Sequence, residues 1–164
     1  MFFYSAVSAA SSDPRERARE KRISLTEVTE LTEKVMELNQ LSSQVIKAAI
    51  TVHQELGPGL LESVYQSCTL IELRDMGMDV QSEVPLPVFY RGQEVNAVGF
   101  RLDLLVENRL VVELKSVEKV QPVHKKQLLT YLRLADKPLG LLINFNEPML
   151  KNGITGIINA LPKA

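Results

Sequence analysis

The chain has almost none of the residues from which disulfide scaffolds and soft-metal cages are made: one cysteine, Cys68, and two histidines in 164 residues. A single thiol rules out an internal disulfide and a cysteine-built zinc centre, and two histidines argue against a histidine-rich metal site. Net charge is also missing. Nineteen Lys and Arg face twenty Asp and Glu, a formal −1, so any phosphate binding must come from a local patch. No apolar run approaches the roughly 20 residues that cross a bilayer. What remains for metal chemistry is hard oxygen. Apolar content of 45% and charged content of 24% suit one soluble domain with a proper core.

The opening "MFFYSAVSAASS" has the Ala-x-Ala look of a signal peptide but no basic n-region, and its apolar stretch is short and broken by serines. It reads as a disordered or non-native extension, and the protein as cytoplasmic. "DPRERAREKR" (13–22) is a solvated linker or frayed helix, its basic residues diluted by Glu16 and Glu20. Ser24 and Glu27 have capping-box spacing, with Leu31, Val35 and Leu38 at helical intervals behind them. A second helical stripe follows a presumed N-cap at Ser42: Val45, Ile46, Ala49, Val52, His53 and Leu56. "GPG" (57–59) stops it, and "LLESVYQSCTLIELRDMG" restarts as a helix ending at Gly77.

From there the period changes to two. "DVQSEVPLPVFYRGQEV" reads as an edge strand, given Pro85 and Pro87, with a turn at Arg91-Gly92. "AVGFRLDLLVE" and "RLVVELKSV" form a hairpin. Pro122 opens the helix "PVHKKQLLTYLRLAD", "PLGLLINF" is a buried strand, and "ITGIINAL" is expected to close the chain as a helix. Helices, three strands, helix, strand, helix make a mixed sheet with helices on both faces.

Asp103, Glu113 and Lys115 interrupt the apolar hairpin, where burying charge is costly unless it is paired or binds a metal. Residues 113 and 115 leave the same face of their strand. A hairpin centred on Asn108 sets 103 opposite 113, with Cβ atoms roughly 4.5–5.5 Å apart. Two carboxylates so close repel unless a cation or proton intervenes. Mg²⁺, with Mn²⁺ as the alternative, suits this oxygen-rich position, and the Leu114 carbonyl is placed to be a further ligand. Lys115 beside it can orient or help activate a water and offset charge on a developing phosphorane. An Asp–Lys–Glu ion-pair cluster with no catalytic role has the same spacing.

The surrounding blocks separate these two readings. "GPGLLESVY" supplies Gly59, Glu62 and Tyr65; "FRLDLLV" and "VVELKSVE" supply an acidic strand and an E-x-K strand; "QLLTYL" and "GLLINF" follow in order. In this set the sequence resembles the GxxExxY family, a branch of the PD-(D/E)XK nuclease-like superfamily, from about residue 41 to 161. It departs by the extension before residue 41 and by Leu102 where the superfamily carries proline before its aspartate. The aspartate itself, Asp103, is kept.

The resemblance implies an α/β (α+β) fold with a restriction-endonuclease-like core: a mixed sheet of about four strands flanked by helices on both faces. The nuclease-like domain would cover 41–164, behind a partly disordered or helical extension, 1–40. Lys115, Glu62, Asp103 and Glu113 become the expected catalytic set. Asp103, Glu113, the Leu114 carbonyl and Glu62, directly or through water, would hold the metal. Gln127 and Tyr131, an i, i+4 pair, resemble a Q-x-x-x-Y element that contacts substrate. Tyr65, one turn after Glu62, reads equally as a site residue or a core aromatic. Lys119 and Lys125, with His124 and Lys126, form a basic cluster that could meet a phosphate backbone or simply be solvated. His53 reads as a satisfied core histidine and Cys68 as a small hydrophobe. The function expected is a divalent-metal-dependent nuclease acting on nucleic acid, DNA ahead of RNA, with a homodimer as its assembly and no membrane partner. The alternatives are a silent nuclease-like module that binds nucleic acid or a protein, and a hydrolase of other phosphate esters.

Overall fold

A computed structural model of the protein describes residues 24–159. "MFFYSAVSAASS", "DPRERAREKR" and the last residues of "ITGIINAL" lie outside that range. The chain clusters into two units, Met1–Val35 and Met36–Ala164. Among the described residues no helix is long and apolar enough to cross a membrane.

Helix α1 (Leu25–Leu56) is continuous, where the sequence suggests two helices divided at Ser42. The capping box forms as expected: the Ser24 N–H donates to Glu27 Oε2 at 2.7 Å and the Glu27 N–H to Ser24 Oγ at 3.1 Å. The second cap does not form. Ser42 and Ser43 both donate back to the Asn39 carbonyl, at 3.0 and 2.8 Å, so their hydroxyls are absorbed within the helix. Leu41, Val45, Ala48, Ala49, Val52 and His53 make its buried stripe. The helix ends where Gly57 takes a φ of +68°, its N–H bonded to the His53 carbonyl. After Gly59, at φ +99°, α2 (Glu62–Asp75) begins. It stops at Gly77, φ +79°, with Met78 N–H reaching back to the Leu73 carbonyl.

Five strands follow in one sheet, ordered β1 (Val80–Tyr90), β2 (Gln93–Val106), β3 (Leu110–Lys115), β4 (Leu139–Asn144), β5 (Ile154–Ile158). β1 lies at an edge, which tolerates Pro85 and Pro87. The β1–β2 and β2–β3 turns put Arg91, Gly92, Glu107 and Asn108 at positive φ, the backbone that tight hairpins need. β3 and β4 run parallel, joined through α3 (Pro122–Leu134). Both are almost wholly buried, as parallel strands covered on two faces must be.

Two corrections to the sequence reading arise at the C-terminal end. "ITGII" is a strand, not a helix, pairing antiparallel with β4 from Leu139↔Ile158 to Ile143↔Ile154. Its run of Ile154, Thr155, Ile157 and Ile158 is β-branched, and β4 would otherwise leave a row of backbone groups unpaired. The sheet consequently has five strands rather than about four.

Alternation sorts the core into two layers. Leu104, Val106, Leu110, Val112, Leu114, Leu141 and Ile143 pack with α1 and α2 on one face. Leu105, Val111 and Leu142 pack with Leu128, Tyr131 and Leu132 of α3 on the other. Glu113 and Lys115 share the parity of Val111, so they leave β3 on the α3 side.

Gly153, in the short 3₁₀ turn before β5, is required by a close approach: a Cβ there would lie 2.5 Å from the Asn144 carbonyl oxygen. Gly153→Ala is expected to destabilise the protein by about 1–3 kcal/mol through overpacking against backbone. The urea-unfolding midpoint should fall while the slope stays constant.

Candidate active site

The site forms where β2 parts from β3. Their ladder ends at Leu104↔Val112. One step further, the Asp103 carboxylate replaces a strand bond: its Oδ2 accepts the Leu114 N–H at 2.7 Å. That bond fixes the carboxylate against the strand that carries Glu113 and Lys115. The Lys115 ammonium donates to Glu113 Oε1 at 2.8 Å and to the Leu114 carbonyl at 3.0 Å, with Glu62 Oε1 at 3.5 Å. Glu62 is the first residue of α2, a position where a carboxylate is favoured by the helix dipole. Thus Asp103, Glu113, Lys115 and Glu62 meet, drawn from three elements.

Electrostatically this is a strained gathering. Burial and then the charge of Glu113 push Asp103 up to about 7, against the Leu114 bond that favours its ionised form. Burial also raises Glu113, opposed by the Lys115 hydrogen bond. For Lys115, burial pulls downward, yet the hydrogen bond and charges of its acidic neighbours prevail and hold it above its usual value. Glu113 is only 3% exposed, and its Oε2 is buried with no hydrogen-bond partner among the described residues. Crowded carboxylates, an orphaned oxygen and a carbonyl in reach constitute a hard-oxygen donor set, which suits a divalent cation such as Mg²⁺. Among the described residues no three acidic, histidine or cysteine side chains already stand in a metal cage. Two of the oxygens are bonded by the Lys115 ammonium instead.

The flanking residues fall into two groups. Tyr131 faces the centre: burial raises its hydroxyl's pKa, a Gln127 hydrogen bond acts the other way, and the charges of Glu113, Lys115 and Asp103 all reach it. The Gln127 amide donates directly to that hydroxyl. Lys119, Lys125 and Lys126 are exposed and form no ion pair with a described residue, while His124 accepts the Gln121 N–H at 3.2 Å at the start of α3.

Of the two readings open for Tyr65, site residue or core aromatic, its packing is that of the core aromatic. It is fully buried, stacked on Phe145 with centroids 4.3 Å apart. Its hydroxyl donates to the Gly57 carbonyl at 2.6 Å and accepts the Leu60 N–H at 3.1 Å. It therefore holds the loop that presents Glu62, and has no free surface for a ligand. His53 is satisfied by the Glu147 carbonyl at 2.8 Å, and Cys68 is half-buried against the α1–α2 core layer.

Three supporting residues escape a reading of the sequence. Gln66, one turn after Glu62, donates to the Asp103 carbonyl at 3.1 Å and to Glu83 Oε1 at 2.6 Å; its i, i+4 spacing from Glu62 is the signal that could have found it. Glu83 sits at φ +53° within β1; nothing in the alternation marks it. Asn144, fully buried at the end of β4, accepts the Val117 N–H at 3.0 Å and donates to the Val117 carbonyl at 2.8 Å. It clamps the segment that leaves Lys115.

A sheet of this order, with an acid on one strand and E-x-K on its neighbour, is a restriction-endonuclease-like fold. Residues 39–157 match the PD-(D/E)XK nuclease superfamily, and the chain belongs to it. No curated protein and no solved structure matches it significantly. Nucleases of this superfamily typically use divalent metals and act on nucleic acid.

The raised Asp103 has a pH signature. Its folded-state value of about 7 exceeds the ordinary 3.8, so its stabilising contribution is complete below about pH 4 and is lost as pH rises through 7. In metal-free buffer Asp103→Asn should therefore melt higher than the parent at pH 8, and the gain should be clearly smaller at pH 5. Thermal melts in EDTA at the two values check this; an equal shift at both would contradict it.

Proposed function

We propose that this chain is a Mg²⁺-dependent nuclease of the GxxExxY branch, hydrolysing phosphodiester bonds in nucleic acid, with DNA ahead of RNA. What carries the reading is the convergence of Asp103, Glu113, Glu62 and Lys115 at the splayed end of one hairpin, with a buried Glu113 oxygen left unpartnered. Asp103, Glu113, the Leu114 carbonyl and Glu62 would hold the ion. When bound, it lowers the pKa of a coordinated water and polarises the phosphoryl group. Mn²⁺ would serve the same oxygens.

Each side chain then has a task. Lys115, released from Glu113, turns its ammonium toward the attacking water and the charge that grows on the phosphoryl oxygens. Asp103 keeps its place through the Leu114 N–H. Tyr131 accepts its hydrogen bond from Gln127, so its own proton is available to a phosphate oxygen. Exposed Lys119 and Lys125 extend the contact along the backbone, as a local patch on a molecule of net charge −1. We further assign the protein to the cytoplasm, in keeping with its single cysteine, and to a homodimer.

A silent, binding-only module is the second reading. It draws on the same lysine, which in the ion-free state closes Glu113 Oε1 and the Leu114 carbonyl as an internal cation would. Cleavage and metal binding separate the two. With labelled single-stranded, duplex and RNA substrates, Mg²⁺ or Mn²⁺ should give cleavage that EDTA abolishes. Lys115→Ala should lose roughly a hundredfold or more in rate and still show the metal-induced rise in Tm. Asp103→Ala/Glu113→Ala should lose that rise as well. If parent and double variant shift equally with metal, the centre is not a metal site.

A further inference from the structure

β2 carries an aromatic residue just outside the catalytic cluster that the hydrolytic roles leave unused. Phe100 precedes Asp103 by three residues, about 10 Å along an extended strand. It lies opposite Leu86 on the β1 edge. One side of its ring leans on Tyr131, with centroids 5.4 Å apart and planes inclined at 44°. The residue nonetheless remains 41% exposed.

A lone exposed phenylalanine on a protein surface ordinarily needs no explanation. This one differs in its neighbour. Tyr131 is 4% exposed and stands within the field of Glu113, Lys115 and Asp103, so Phe100 is the outward continuation of the catalytic wall. The exposed ring, backed by Tyr131, forms a base-stacking platform beside the acidic cluster. Such platforms take bases by their π-faces. In a duplex those faces are already covered by neighbouring pairs, and exposing one costs unstacking.

We propose that Phe100 is a stacking shelf for an unpaired base beside the scissile phosphate, which makes single-stranded nucleic acid the substrate class of this site. The inference rests on the nucleic-acid reading of the centre and adds a choice of strandedness to it.

The chain contains no tryptophan, so Phe100→Trp places the only indole in the protein on the shelf. Titration of this variant, in EDTA, with short single-stranded DNA, single-stranded RNA and a DNA duplex should quench the indole with the single strands and leave it nearly unchanged with the duplex. The DNA and RNA arms identify which strand is held. Fluorescence anisotropy with the same oligonucleotides should show Phe100→Ala losing about tenfold or more in single-strand affinity, as expected for one stacked base, with Phe100→Trp retaining it. Urea unfolding of Phe100→Ala establishes that it is folded. No quenching by any strand, or equal quenching by single strand and duplex, would overturn the shelf. A metal-dependent cleavage assay of the parent runs in parallel. Quenching without cleavage would sustain the shelf and remove the hydrolytic reading, whereas cleavage without quenching would do the reverse.

Discussion

The chain's most consequential interaction is the hydrogen bond from the Leu114 N–H to the Asp103 carboxylate. A side chain here occupies a place that the next step of the sheet ladder would give to a carbonyl. The hairpin stays closed from its turn to Leu104↔Val112 and opens only beyond. Everything polar in the centre depends on that opening. It brings Asp103 against the strand of Glu113, admits the Lys115 ammonium between acidic groups, and leaves one Glu113 oxygen without a partner. A fully zipped hairpin would have satisfied its backbone at the cost of the chemistry.

Much of this arrangement was legible from residue order. Period-two apolar runs, turn residues at 91–92 and 107–109 and the Pro85/Pro87 edge signal each have a local physical cause, and each appears where expected. The misread elements share another property: their state is decided by distant partners. Ser42 has the chemistry of an N-cap but lies within a helix whose stripe runs on, so its hydroxyl turns back to Asn39. "ITGIINAL" has an ambiguous apolar pattern, and the open edge of β4 decides in favour of a strand.

The candidate centre divides in the same way. Asp103, Glu113 and Lys115 could be grouped from spacing because a hairpin converts sequence separation into register. Gln127 and Tyr131 were visible as a helical pair. Tyr65 has the same one-turn relation to Glu62, yet the turn directs it into the α1–α2 layer against Phe145, a partner eighty residues away in sequence. Glu83 and Asn144 had no local signature at all. A left-handed backbone at a glutamate and a clamp on a loop 27 residues earlier exist only once the sheet is assembled.

That clamp has a dynamical corollary. Lys115 lies between two anchors: its carbonyl accepts the Phe145 N–H at 2.8 Å, and two residues later Val117 is gripped at both its N–H and its carbonyl by Asn144. The main chain around the lysine is thereby immobilised from both directions. Relocating the ammonium falls to torsions of its own four-carbon arm, which relax in picoseconds to nanoseconds once the salt link opens. Exchange of one cation for another at this hairpin would then be a rotamer event, far faster than any hinge or loop rearrangement.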